Sequence, residues 1–165
     1  MTLLEKYTPI FLEVYEVDRL EHVLQFSEDA NPWNIWLCVN SIEEDSTLPL
    51  TEKKQLFLEL IEYYMKKGLL RFEGEAILSR DEYIDEDGEP KAKNVKSINF
   101  DKNASVDEII TWFDEYFPTE EMAQKQNQSY EHVINIWMYV YPPYAYWFWK
   151  DPEDPEDEGE WYKCD

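Results

Sequence analysis

The sequence predicts an α+β fold, a mostly helical single domain with a small antiparallel sheet formed partly by a C-terminal aromatic hairpin. The 165 residues are 44% hydrophobic and 16% aromatic, which provides enough apolar side chains for one core. Several segments repeat apolar residues at helical spacing behind capping residues. Residues 144–149, Tyr-Ala-Tyr-Trp-Phe-Trp, are rich in the residue types that favour strands. These three observations together predict helices first and a strand pair at the end.

Two helices are predicted in the first part of the chain. Thr8 before Pro9 has the pattern of an N-cap followed by proline at the first helical position. Apolar residues follow with helical spacing and stop near the polar residues 27–29. Asn31, again followed by proline, predicts a second short and apolar helix over residues 33–42.

The clearest helix is predicted to begin at Thr51 and to end before Gly68, a glycine placed where a helix C-terminus commonly has one. Short strands are predicted over residues 69–72 and 76–78, around a turn at residues 73–74. Residues 80–102 are polar and mostly charged. They are predicted to form a long hairpin or insertion loop within a single domain that covers residues 1–165.

The remaining elements are predicted from caps and breakers. Ser105, with glutamate three residues later, has capping-box spacing and begins a helix that stops at Pro118. Another helix is predicted from Thr119 to the prolines that follow residue 141. The aromatic segment 144–149 is then expected to pair with Trp161 and its neighbour in an antiparallel hairpin.

The charge of the chain excludes whole classes of partner. There are 37 Asp and Glu against 15 Lys and Arg, so the formal net charge is 15 − 37 = −22. Nucleic-acid binding depends on Lys and Arg that neutralise phosphates, and anionic membranes repel an acidic surface, so neither is expected as a direct partner. A chain this acidic attracts basic proteins.

No motif predicts catalysis, a metal or a cofactor. His22 and His132 have no second ligand at metal-binding spacing, and four glycines in the whole chain leave no phosphate-binding loop. Cys38 reads as a buried small hydrophobic residue, and Cys164 lies among acids that disfavour a thiolate. We therefore expect a protein that is not an enzyme, although abundant carboxylates leave paired-acid catalysis open as a minor alternative.

The candidate partner-binding residues are acids beside aromatic side chains. Residues 151–160 are crowded with carboxylates, and tryptophan and tyrosine are enriched at interface hot spots. A solvated, solubilising tail is the competing interpretation of the same acids. A second acidic cluster on the predicted hairpin could extend the surface. The candidates are Asp151, Glu153, Asp154, Glu156, Asp157, Glu158, Glu160, Trp161 and Tyr162, followed by Asp85, Glu86 and Asp87.

The chain resembles the small acidic immunity proteins of bacterial polymorphic-toxin and contact-dependent growth-inhibition systems. The resemblance rests on the segment 31–36 (Asn-Pro-Trp-Asn-Ile-Trp), the helix over residues 51–68, and Pro142-Pro143 with Trp147 followed by residues 159–161 (Gly-Glu-Trp). It leaves residues 80–102 as an apparent insertion. It implies a cytoplasmic protein that binds and neutralises one toxin domain inside the producing cell, and it transfers no catalytic residue.

The sequence therefore predicts a non-catalytic immunity protein for a basic toxin domain, with a nuclease as the expected class because nuclease sites hold phosphates with cations. The alternative is a nucleic-acid mimic that inhibits a host or phage DNA-binding protein. A cytoplasmic location is also expected because the N-terminal residues show no basic region followed by an apolar run.

Overall fold

The computed structural model describes residues 2–24, 30–42 and 48–164. In these residues the helices are α1 (Leu3–Val14), α2 (Pro32–Ser41), α3 (Leu50–Lys66), α4 (Val106–Tyr116), α5 (Glu120–Gln126) and α6 (Tyr130–Val140). The strands are β1 (Leu70–Ile84), β2 (Pro90–Phe100), β3 (Tyr144–Trp149) and β4 (Glu160–Lys163), and a short 3-10 turn covers Leu20–His22. The predicted α+β class, helix-rich with one antiparallel sheet, is confirmed.

The first helix begins earlier than the sequence predicts. Thr2, not Thr8, is the N-cap, and its hydroxyl and the carboxylate of Glu5 form a reciprocal capping box. Pro9 lies inside the helix, and the Thr8 hydroxyl donates to a main-chain carbonyl of the preceding turn at 2.6 Å. The helix ends at Val14, well before residues 27–29, which lie outside the described part of the chain. A capping box that begins at Thr2, six residues before Thr8, thus outweighs the threonine-proline signal.

The next two helices follow the sequence prediction closely. Asn31 caps α2 by accepting the main-chain N–H of Asn34 at 2.8 Å, with proline at the first helical position. The third helix begins one residue before the predicted Thr51, and Gly68 follows its end with φ +75°. The main-chain N–H of Leu69 then donates to a carbonyl in the last turn of α3, which directs the chain into the sheet.

The sheet has the strand order β2-β1-β3-β4, with every pair antiparallel. The two short strands predicted on either side of residues 73–74 are wrong, because β1 runs through this point as one 15-residue strand. Its first residues, Leu70 to Glu73, pair with β3, and from Gly74 onward it pairs with β2. Leu70, Phe72, Ala76 and Trp147 are buried on one face of the sheet, which identifies the core side.

The predicted insertion, residues 80–102, contains the end of β1, the turn and all of β2, and it is a β-hairpin that projects beyond the part of β1 paired with β3. Within the described residues, no strand other than β2 pairs with β1 after Glu73. We call residues 79–96 the β1–β2 arm; its side chains are mostly exposed on both faces. The ladder shifts register twice near Ser79, where Asn94 adopts φ +54° and its amide donates to Asp81 Oδ2 at 2.8 Å.

The helical segment after the sheet is divided more finely than predicted. Ser105 accepts the main-chain N–H of Glu108 at 3.1 Å and begins α4, as expected. The single helix predicted after Thr119 is two helices, because Asn127 adopts a left-handed conformation with φ +53° and Ser129 caps a new start. The sequence Asn-Gln-Ser between them supplies the C-cap of α5 and the N-cap of α6.

The core is dominated by aromatic side chains. Phe57 of α3 is fully buried, with ring centroids 5.8 Å from Trp36 and 5.6 Å from Phe113. Trp112 stacks on Trp137 at 5.3 Å, so α4 and α6 join the same cluster. Cys38 is buried, as predicted, and so is Cys164, whose main-chain N–H donates to a β3 carbonyl at 2.8 Å. The chain end is therefore part of the fold up to residue 164.

Candidate functional site

The acidic segment between β3 and β4 is an ordered loop clamped by Asp157. One carboxylate oxygen of Asp157 accepts the main-chain N–H of Asp151 at 2.8 Å, and the other accepts that of Gly159 at 2.9 Å. These two N–H donors lower the pKa of Asp157 from its ordinary value, because they stabilise the ionised form. One side chain therefore fixes both ends of the loop.

Two further aspartates hold the interior of this loop. Asp151 accepts the main-chain N–H of Glu153 at 2.9 Å, and Asp154 accepts that of Glu156 at 3.0 Å. Both contacts span two residues, the pattern in which an aspartate side chain replaces a main-chain turn acceptor. Three of the predicted partner-binding acids thus have a defined structural task.

The glutamates of the loop have no such task. Glu153, Glu156, Glu158 and Glu160 are all exposed, and within the described residues none of them forms an ion pair with lysine or arginine. The aspartates order the backbone of the loop, and the four glutamates project from that ordered backbone without ion pairs to the described residues, with Glu160 at the first residue of β4 beside the Tyr162 hydroxyl. We call these four residues the loop glutamates.

The two predicted aromatic residues lie on opposite faces of β4. Trp161 packs against Phe148, with ring centroids 5.3 Å apart, and the guanidinium of Arg71 lies 4.5 Å from the Trp161 ring centre. Tyr162 is 41% exposed, and Trp149 on the paired strand is 42% exposed. Desolvation, together with the neighbouring Glu160 carboxylate, raises the pKa of Tyr162, so its hydroxyl stays a neutral donor. Tyr162 is the more accessible of the predicted pair.

Gly159 allows this loop to close against the sheet. Its φ is +84°, and a Cβ placed on it would overlap the Phe148 ring. Glycine meets both requirements, the left-handed backbone and the close approach. The glycine of the Gly-Glu-Trp sequence is thus explained by its packing against Phe148.

The second predicted cluster lies at the turn of the β1–β2 arm. Asp85 accepts the main-chain N–H groups of Asp87 and Glu89 at 2.9 and 2.8 Å, and Lys91 lies 3.8 Å from its other oxygen. Glu86 and Asp87 are exposed. The β3–β4 loop adjoins the start of β1 and this turn adjoins its end, so the clusters are separated by a distance on the order of 40 Å along the strand. The structure does not bring them together.

A third acidic region, outside the predicted candidate residues, lies on α4. Asp107, Glu108, Asp114 and Glu115 are exposed, and the helix carries no lysine or arginine. Among the described residues, Asp114 is the one of these four that forms an ion pair, with Lys54 Nζ at 2.9 Å. The sequence does carry a signal for it, because Asp107, Glu108 and Glu115 have the spacing of one helical face.

Beside this helix lies an open groove of roughly 450 Å³, formed between α4 and the sheet. Its apolar lining consists of Leu78, Ile98, Phe100, Trp112 and Tyr116. Its polar lining consists of Thr111 and three carboxylates, Asp107, Glu108 and Glu115. We call this the α4 groove.

A second concavity, of roughly 380 Å³, lies where α2, α6 and the sheet meet. Trp33 stacks on Tyr139 there at 5.0 Å, and Lys163 Nζ lies 3.7 Å from the centre of the Tyr144 ring. Among the described residues that line it, Glu75 is the one carboxylate and Lys163 the one base, so their charges offset each other.

Within the described part of the chain, no group of histidine, cysteine, aspartate and glutamate side chains is arranged to hold a metal ion. His22 is exposed and lies 2.8 Å from Asp18. None of the helices in this part is both long and apolar enough to cross a membrane. No family model, curated protein or solved structure matches the chain.

Proposed function

We propose that this protein is a non-catalytic inhibitor that binds a basic protein through its acidic and aromatic surface. More specifically, we propose an immunity protein that neutralises a toxin domain in the cytoplasm of the producing cell, with a nuclease as the expected toxin. The resemblance noted in the sequence supports the class, and the charge of −22 supports a basic partner.

The observation that carries the proposal is that the aspartates and the glutamates of the β3–β4 loop have different roles. Asp151, Asp154 and Asp157 order the backbone, and the four loop glutamates are left without ion pairs. A backbone that is already ordered loses little conformational freedom on binding, so more of the electrostatic attraction of its glutamates contributes to affinity. Exposed Trp149 and Tyr162 add the aromatic contacts that are enriched at hot spots.

Nuclease sites suit such a surface for a chemical reason. They hold phosphate groups with lysine and arginine, and fixed carboxylates can occupy the same cations. Complementary charge also accelerates association, and salt screens that acceleration.

The test uses the reading frame directly upstream of this gene. We would express the C-terminal domain of its product with and without this protein and measure growth, complex formation and association rate. We expect the domain to be basic and toxic, and co-expression to restore growth. The association rate should fall about tenfold or more between roughly 50 and 500 mM salt, with little change in the dissociation rate.

The matched variant replaces the four loop glutamates by glutamine, which leaves the three loop-ordering aspartates in place. It should bind more slowly than the original protein at low salt and show a smaller salt dependence. An association rate that is the same at all salt concentrations would contradict the proposal. If the upstream frame encodes no toxin and the protein instead displaces DNA from a DNA-binding protein, the nucleic-acid mimic is the correct class.

A further inference from the structure

The α4 groove is an uncovered part of the core-facing side of the sheet. Ile98 pairs with Ala76, which is fully buried, so both side chains belong to the core side. Yet Ile98 is 40% exposed, because α4 covers this side only in part. Ile98 is contiguous with Leu78, Phe100, Trp112 and Tyr116, and a contiguous exposed apolar surface of this kind is typical of a partner-binding site.

The rim of the groove is acidic without compensation from its own lining. Asp107, Glu108 and Glu115 line it, and no lysine or arginine does. Lys66 lies near enough for Asp107 to contribute to its raised pKa, after Glu62, but the ion pair of Lys66 is with Glu62. The groove therefore combines an apolar floor with unneutralised carboxylates along α4.

We propose that the α4 groove binds an amphipathic, basic segment of the partner protein, with apolar side chains on the floor and lysine or arginine against the rim. This deepens the proposed function and rests on it. The partner's apolar side chains would cover Ile98 and Phe100, and its cations would pair with Asp107, Glu108 and Glu115. Helix α4 is about 16 Å long, which matches about three turns of a bound helix.

The test measures binding of a fluorescent synthetic peptide by anisotropy. The probe is a helix of about 14 residues built from leucine and lysine, with the leucines on one face. The comparison peptide has the same lysines but glutamine in place of leucine. At roughly 150 mM salt, where long-range attraction is screened, we expect the leucine peptide to bind about tenfold or more tightly than its equally charged counterpart.

Two variants locate the site. Asp107→Asn with Glu108→Gln and Glu115→Gln removes three charges from the rim, and we expect it to weaken the leucine peptide about tenfold. Ile98→Ser changes the floor at an exposed position, and we expect it to weaken the same peptide several-fold without loss of the folded state. The matched control, Glu153→Gln with Glu156→Gln and Glu158→Gln, removes three charges from the β3–β4 loop and should leave peptide binding within about twofold.

The outcomes separate this inference from the proposed function. Equal binding of the two peptides, or a greater loss in the loop variant than in the rim variant, would overturn the groove assignment. The proposed function would survive that result if the loop variant still weakened binding of the toxin domain. If the toxin domain did not bind while the groove variants behaved as expected, the groove would stand and the proposed function would fail. Thermal unfolding of each variant shows whether a loss comes from the site or from the fold.

Discussion

At the scale of single residues, the acidic loop depends on a division between aspartates and glutamates that composition conceals. The shorter aspartate side chain reaches the main-chain N–H two residues ahead, as Asp151 and Asp154 do. The glutamates of the same segment are exposed. Within ten residues, two residue types of equal charge therefore have different roles: the aspartates bind the main chain and the glutamates are exposed.

Gly159 is the position where one methyl group should matter most in this loop. Gly159→Ala places a β-carbon at φ +84° and against Phe148, whose ring must then shift from its contact with Trp161. We expect a loss of about 2–4 kcal/mol in the free energy of unfolding, measured by urea denaturation.

Gly88 provides a matched control for that substitution. Its φ is +81°, but nothing lies within 4 Å of an added Cβ. Gly88→Ala should therefore show the backbone cost alone, about 1 kcal/mol. Equal losses in the two variants would mean that the approach of Phe148 does not contribute.

At the scale of elements, the sequence predicted helices with local caps well and elements defined by distant contacts poorly. Asn31, Gly68 and Ser105 act through bonds to residues a few positions away, and their helices lie where predicted. The prediction of two short strands was wrong because it placed a turn at Gly74. In the structure β1 is continuous at Gly74, since it pairs first with β3 and then with β2. Such pairing depends on residues far along the chain.

The candidate site shows the same limit. The acidity of residues 151–160 and the adjacent aromatics were evident from the sequence, whereas the roles of the individual acids required the loop geometry. The distance between the two predicted clusters follows from the length of β1, and the α4 groove follows from how α4 packs beside Ile98. Neither is encoded in a local pattern.

The β3–β4 loop as an element should lose stability with falling pH through Asp157. Its folded pKa lies below the unfolded value of about 3.8, so its contribution is present above that value and disappears as pH falls through the folded pKa. Asp157→Asn can accept only one of the two N–H groups with its single amide oxygen. We expect a lower melting temperature than the original protein at pH 7, and a difference that begins to shrink as the pH falls below about 3.8 and continues to shrink toward the folded pKa.

Asp154→Asn is the control for this pH dependence. Asp154 accepts its main-chain N–H through one oxygen, which an asparagine amide oxygen replaces. Its melting temperature should therefore follow that of the original protein across the same pH range. A difference for Asp157→Asn that stayed constant down to pH 3 would show that ionisation is not the cause.

At the scale of the whole molecule, a charge of −22 has two opposite consequences for stability. Mutual repulsion among exposed carboxylates destabilises the compact state, and salt relieves it. Carboxylates that accept main-chain N–H groups stabilise the same state. Counting charges cannot separate the two groups, but the loop contains both in nearly equal number.

Two triple variants that remove the same charge should therefore differ in sign. Asp151→Ala with Asp154→Ala and Asp157→Ala removes the loop acceptors, and we expect the melting temperature to fall. Glu153→Ala with Glu156→Ala and Glu158→Ala removes only exposed carboxylates, so the melting temperature should stay equal or rise slightly, and its increase with added salt should become smaller. Differential scanning calorimetry at low and high salt measures both effects. Identical melting temperatures for the two variants would mean that the aspartates act only through their charge. That result would contradict the conclusion that they order the backbone that carries the glutamates.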